Sequence, residues 1–184
     1  MAEAFSNSLT RAVGVVTTYS GSTVAAASTA ITVTAATGIG VSDLVDNANY
    51  IAGTRVKQIV GTTVYTDRAS TNTAAASGQI VKFLGVTTAY TSPSAVKSIL
   101  IGGTFANNTD SSVELTVEIF DQSVGVTTTG GSVALASKIP VPNGSSFVIS
   151  DAGKTLLEGL DEVRVYSDTA GAIDVNLSIL TGVS

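Results

Sequence analysis

A chain of 184 residues that is 44% hydrophobic, with a mean hydropathy of +0.41, has apolar material for one ordinary core or two small ones, which argues against disorder. Cysteine and histidine are absent, so disulfides, thiolate or imidazole zinc sites, Cys-His pairs and a Ser-His-Asp triad are excluded, and an enzyme would have to work with carboxylates, Lys, Tyr or a hard metal held by oxygen. The net charge of −5 is uneven, with five Lys/Arg against four Asp/Glu in residues 1–92 and four against ten in 93–184, and no basic stripe suited to nucleic acid appears.

No run approaches the roughly 18 apolar residues that cross a bilayer, so no membrane partner is expected. "MAEAFSNSLT" has neither a basic start nor an apolar stretch of signal-peptide length, so a protein made and kept in the cytosol, or assembled there, is expected. Residues 1–20 read as a first strand region. From Thr29 to Ser70 the chain alternates short strands with Gly38, Gly40, Gly53 and Gly61, and a short helix is allowed near Ser42 to Ala48. "AAAS" occurs at 25–28 and at 74–77, in both places among Thr, Ser and Gly, and reads as loop or strand edge.

The second half alternates with period two. After "VKSILIGGTFA" from Val96 comes "SVELTVEIF", with Val113, Leu115, Val117 and Ile119 on one face and Glu114, Thr116 and Glu118 on a solvated one. "SVALASK" from Ser132 and "SSFVIS" from Ser145 follow. "DEVRVY" then sets Val163 and Val165 opposite Glu162, Arg164 and Tyr166, and "IDVNLSIL" sets Ile173, Val175, Leu177 and Ile179 opposite Asp174, Asn176 and Ser178. Gly, Asn, Asp and Pro-Asn-Gly turns separate these strands. The spacing indicates a sandwich or barrel.

"VGVVTTYSG" (13–21) and "LGVTTAYTS" (84–92) resemble each other. Tandem duplication, a domain inserted into the first strand region, and chance all account for this. The sequences that follow the two stretches differ, which favours insertion, with residues 21–83 as a small β unit and 84–184 as the remainder of the parent fold.

Several stretches invite a chemical reading. "GKT" at Gly153, Lys154 and Thr155 resembles the end of a phosphate-binding loop, but Val148 stands where the first glycine is required and strand alternation follows where a helix is needed. Glu158, Asp161 and Glu162 could form a carboxylate pair for glycoside hydrolysis, or a solvated turn at the entry to a hairpin. Asn107 to Ser112 bears oxygen ligands for Ca²⁺ but lacks the Gly and terminal Glu of an EF-hand loop, and a turn is favoured. The sequons at Asn107, Asn143 and Asn176 matter only on a secretory route. Tyr19, Tyr50, Tyr65, Tyr90 and Tyr166 are spread singly, while Phe105, Phe120 and Phe147 read as core. No catalytic, cofactor-binding or metal-ligating residue is assigned, and no cofactor is expected.

Residues 84–184 carry a longer pattern: "VTTAYTSPSAVKSILIGGTFANNTDSSVELTVEIFDQS", then "KIPVPNGSSFVI", then "GKTLLEGLDEVRVYSDTAGAIDVNLSIL". This resembles small virion structural proteins of tailed phages, particularly marine and cyanobacterial ones. Gly102, Ala106, Asn107, Asp121, Ile139, Pro140, Gly144, Glu158, Asp161, Arg164, Asp174, Val175 and Ser178 to Leu180 match. Pro142-Asn143 before Gly144 and Leu160 in place of a second glycine depart from it. "AFSNSLTRAVG" resembles the start of shorter relatives, and the stretch from Gly38 to Gly85 resembles a β module inserted in other phage structural proteins.

The resemblance implies an all-β fold, a jelly-roll-like β-sandwich with a small inserted β domain. It implies a non-enzymatic virion protein, assembled in the host cytoplasm as a symmetric homo-oligomer on other virion proteins, as capsid decoration or at the neck or tail. A carbohydrate-binding or adhesin module, with tyrosines and the loops near Asn107 or Asn143 touching sugar, is the alternative. A carboxylate enzyme ranks third.

Overall fold

The computed structural model describes residues 3–124, 131–150 and 154–183. In chain order its strands are β1 (Ala4–Val13), β2 (Val15–Val24), β3 (Ala30–Thr32), β4 (Leu44–Asp46), β5 (Val56–Val60), β6 (Thr63–Thr66), β7 (Ala76–Gly85), β8 (Thr87–Thr91), β9 (Lys97–Asn107), β10 (Val113–Phe120), β11 (Ser132–Val141), β12 (Ser146–Ile149), β13 (Thr155–Leu157), β14 (Glu162–Ser167) and β15 (Ile173–Val183). Every pairing between them is antiparallel. The chain divides into two compact units, residues 1–14 with 87–184, and residues 15–86.

The first unit is a β-sandwich. One sheet runs β1-β15-β9-β12, with β13 also on β9, and the other runs β11-β10-β14-β8. Alternation places Leu100, Phe105, Val175, Leu177 and Ile179 of the first sheet against Leu115, Val117, Val163 and Val165 of the second, all in one buried cluster. Successive strands mostly change sheets. In particular β13 and β14 lie in opposite sheets, so the turn from Glu158 to Asp161 crosses the sandwich and is not the hairpin read from sequence.

Leu160 occupies that turn at φ +73°, where the phage resemblance expects glycine. A left-handed leucine is strained by about 1–2 kcal/mol, and the greater freedom of glycine in the unfolded chain offsets part of this. Leu160→Gly is therefore expected to leave stability unchanged or raise it by up to about 1 kcal/mol in urea unfolding; a loss of that size would contradict the assigned turn.

The second unit is a six-stranded sheet, β4-β7-β2-β3-β6-β5. Bonds from Val56 N to Asp43 O (2.9 Å) and from Val45 N to Thr54 O (2.8 Å), with a Leu44/Arg55 bridge, join its end strands and close the sheet on itself. It has a core of its own, including Val24, Ile31, Val64, Val81 and Phe83.

Two expectations are corrected here. Residues 42–48 form no helix, because Asp43 Oδ2 accepts Gly40 N–H at 2.7 Å in a turn and Leu44 to Asp46 then pair with Leu84 to Lys82. The unit boundaries are Gly14/Val15 and Val86/Thr87 rather than 20/21 and 83/84. The ladder from Val15↔Gly85 to Tyr19↔Val81 ties residues 15–20 to β7, so they are not part of the sandwich's first strand.

The junction residue Gly14 has φ +128°, and a Cβ there would run into the Thr169 carbonyl oxygen, while its own carbonyl accepts Gly171 N–H at 3.0 Å. Gly14→Ala is expected to cost about 1–3 kcal/mol. Chemical denaturation followed on the sandwich's transition checks it, and an unchanged midpoint would contradict this geometry.

Burial pushes the Asp43 carboxyl above the usual carboxylate range, partly opposed by the Gly40 hydrogen bond. The folded state thus prefers the neutral acid, and this contribution, complete below the unfolded pKa, is lost as pH rises through the folded one. The stability advantage of Asp43→Asn over the parent should therefore grow from about pH 3 to pH 7 in the second unit's unfolding. A pH-independent difference would contradict it.

Candidate interaction surface

The turn expected at Asp151 to Gly153 lies outside the described residues, and Lys154 stands exposed just before β13. Of the three acids near it, two are committed elsewhere. Asp161 is buried and accepts Gln122 N–H (3.1 Å) and Glu158 N–H (2.9 Å) on its two oxygens. Glu162 accepts Arg164 Nε–H at 2.7 Å and the Thr88 hydroxyl at 3.3 Å, and the Arg164 guanidinium lies 3.6 Å over the Phe120 ring. Glu158 is exposed. The Asp161 and Glu162 carboxylates thus serve a turn and an ion pair.

Asn107 is likewise turned inward. Its amide donates to Ser111 O (2.7 Å) and Val141 O (2.9 Å), and its oxygen accepts Thr109 N–H and the Thr109 hydroxyl, both at 2.8 Å. The oxygens of this loop thus close it on itself. Among the described residues no cluster of three or more Asp or Glu gathers to hold a metal.

The tyrosines do not form one platform. Tyr19, Tyr50 and Tyr65 belong to the second unit and Tyr90 and Tyr166 to the sandwich, where Tyr166 is fully buried and the Tyr90 hydroxyl bonds that of Ser98 at 3.0 Å. The faces of β10 and β14 read as solvated also prove buried at Thr116, Glu118, Arg164 and Tyr166. Thr116 there accepts Lys138 N–H at 3.1 Å.

What the sandwich does present is the outer face of its β1-β15-β9-β13 sheet. Register aligns Phe5 with Leu180, Leu180 with Ile99 and Ile99 with Leu156, so four apolar side chains from four strands form one row across that face. A second row joins Leu9, Asn176, Thr104 and Val148. Phe5 is 77% exposed, Leu9 72%, Val148 55% and Leu156 49%. Shallow depressions of about 370 and 360 Å³ lie on this face, one beside Phe5, Asn7 and Ser178 and one beside Leu9, Thr104 and Asn176. Charge lies at the margins of this face, with Glu3, Lys97 and Lys154 two residues before Phe5, Ile99 and Leu156 and, at the other end, Arg11 facing Asp174 at 3.8 Å in a solvent-exposed pair that contributes little.

Single exposed apolar residues are ordinary, whereas rows of them mark contact surfaces. The sequence reading missed this face, although a signal was there: "SILI", "TLL" and "SIL" place apolar residues next to each other, so both faces of those strands are apolar.

No family model matches the chain, and no curated protein matches it. Among solved structures, a chain titled "Arthrobacter globiformis T6 isomalto-dextranse complexed with panose" is similar at 9% identity and a TM-score of 0.24, over 87% of this chain and 36% of that one. A likeness this slight carries no argument. No helix among the described residues is long and apolar enough to cross a membrane, which leaves strands unaddressed.

Proposed function

We propose that this chain is a non-enzymatic structural subunit of a tailed-phage particle, assembled as a symmetric oligomer and docked on the capsid as decoration or at the neck or tail. The observation that carries the reading is the apolar row Phe5–Leu180–Ile99–Leu156, exposed at both ends and half-buried between, with Leu9 and Val148 exposed in the row beside it and charge only at the margins of the face. A face of this kind gains free energy by burial against a protein partner. The commitment of Asp161, Glu162 and Asn107 to turns and an ion pair supports it from the other side, since the polar groups with most chemical promise stabilise the fold. The resemblance of residues 84–184 to small virion proteins supplies the particle.

Gold-labelled antibody against the purified chain, applied to intact particles whose genome encodes it, tests the reading. Label on the shell or at the neck or tail is expected. Particles that bind no label, either intact or after partial disassembly, would overturn it.

A further inference from the structure

β1 is the outermost strand of its sheet and pairs with β15 along one side. Its inward hydroxyls, Ser8 and Thr10, reach the Ala89 carbonyl at 2.7 and 3.4 Å, while Ala4 to Asn7, Leu9 and Arg11 are exposed. Natural edge strands of this length are usually guarded by proline, an inward charge or an early bulge. Here the irregularity comes only after Thr10, where Ala12 adopts φ +55°.

Apart from Ala4 against Thr10, β1 and the residue before it are self-complementary about Asn7. Ser6 and Ser8 match, Phe5 and Leu9 are both large and apolar, and Glu3 and Arg11 carry opposite charges. We infer that β1 forms a two-fold contact between two copies of this chain, the two β1 strands pairing antiparallel about Asn7. Phe5 of one copy then lies opposite Leu9 of the other, and Glu3 opposite Arg11, each contact occurring twice as an isologous interface requires. The two outer faces merge, so that the apolar row ending at Phe5 continues onto Leu9 and then toward Val148 of the second copy. A slip of one residue would turn Phe5 and Leu9 to opposite faces, and a slip of two would keep the faces but lose the Phe5–Leu9 and Glu3–Arg11 matches, so the register about Asn7 is favoured. Arg11 is free to make the new pair because its contact with Asp174 is long and solvent-exposed. The inference rests on the oligomer reading above for its role, but it needs only the purified chain, so either can fail alone.

The absence of cysteine from the chain makes a clean test. With Asn7→Cys the two thiols face each other across the axis, where paired Cα atoms lie about 4.5–5.5 Å apart, within disulfide range. With Ala4→Cys the two positions are separated along the strands by about 20 Å. Under mild oxidation Asn7→Cys should form a disulfide dimer at least about tenfold faster than Ala4→Cys, beyond what collision between exposed thiols gives. Sedimentation equilibrium at low salt should show Arg11→Glu weakening association by about tenfold or more, and Glu3→Arg combined with Arg11→Glu restoring it. Equal crosslinking at positions 7 and 4, no crosslinking at either, a single reversal that leaves association unchanged, or a double reversal that fails to restore it would each overturn the inference.

Discussion

Phe105→Ala is expected to cost the sandwich about 3–5 kcal/mol. The ring is fully buried near the end of β9, with Val175 of β15 on one side and Phe147 of β12 on the other, the latter at 6.2 Å between ring centroids. Gly103, two residues earlier, leaves room for it: a Cβ at that position would lie 3.2 Å from the Phe105 ring. Truncation therefore opens a cavity among packed core side chains, which can close over it only in part. Because the two units have separate cores, urea unfolding should show the sandwich's transition moving while that of residues 15–86 stays in place. A loss below about 1 kcal/mol would mean that the core between the sheets is not packed as described.

Asn107→Ala should cost about 2–4 kcal/mol, a large effect for a polar residue at the end of a strand. The amide makes four hydrogen bonds while 3% exposed, and it ties the β9–β10 connection to the end of β11 through Val141 O. Removing it takes one donor each from the buried Val141 carbonyl and the Ser111 carbonyl, which keep the Ser112 and Thr109 hydroxyls respectively, and strips the Thr109 N–H of its acceptor. Asn107→Asp separates this from simple packing: it keeps the volume and the acceptor for Thr109, but sets a carboxylate against the Ser111 and Val141 carbonyls. It should lose about as much as alanine near neutral pH. If Asp matched the parent in thermal and urea unfolding, the structural role of the amide would be contradicted.

The strands that bury one face were legible, since Val113, Leu115 and Val117, Val163 and Val165, and Ile173, Val175, Leu177 and Ile179 all point into the core as their alternation indicates. Alternation was less informative about the opposite face, because Thr116, Glu118, Arg164 and Tyr166 are polar enough to read as solvated and are buried nonetheless. Local pattern also cannot assign a strand to a sheet. "TLLEGLDEVRV" holds two strands as read, but the crossing between sheets depends on partners about 45–60 residues earlier, Ser98 to Leu100 for β13 and Leu115 to Phe120 for β14.

The two similar stretches, 13–21 and 84–92, marked the right neighbourhood for the unit boundaries, yet each spans one. Val13 and Gly14 belong to the sandwich while Val15 onward enters β2, and Leu84 and Gly85 close β7 before Thr87 begins β8. The candidate interaction face was the least legible part, because β1 has only Phe5 and Leu9 as outward apolar residues and their row is completed by Leu180, Ile99 and Leu156 from distant parts of the chain.

The central proposal, that this chain is a building part of a tailed-phage particle, is tested most directly by quantitative mass spectrometry of purified particles whose genome encodes it, counting its copies against the major capsid protein. The account predicts a fixed integral stoichiometry: a ratio near one per capsid subunit or capsomer for a decoration protein, or a few copies per particle, matching one small ring, for a neck or tail component. Complete absence of the chain from particles that are otherwise intact would contradict it.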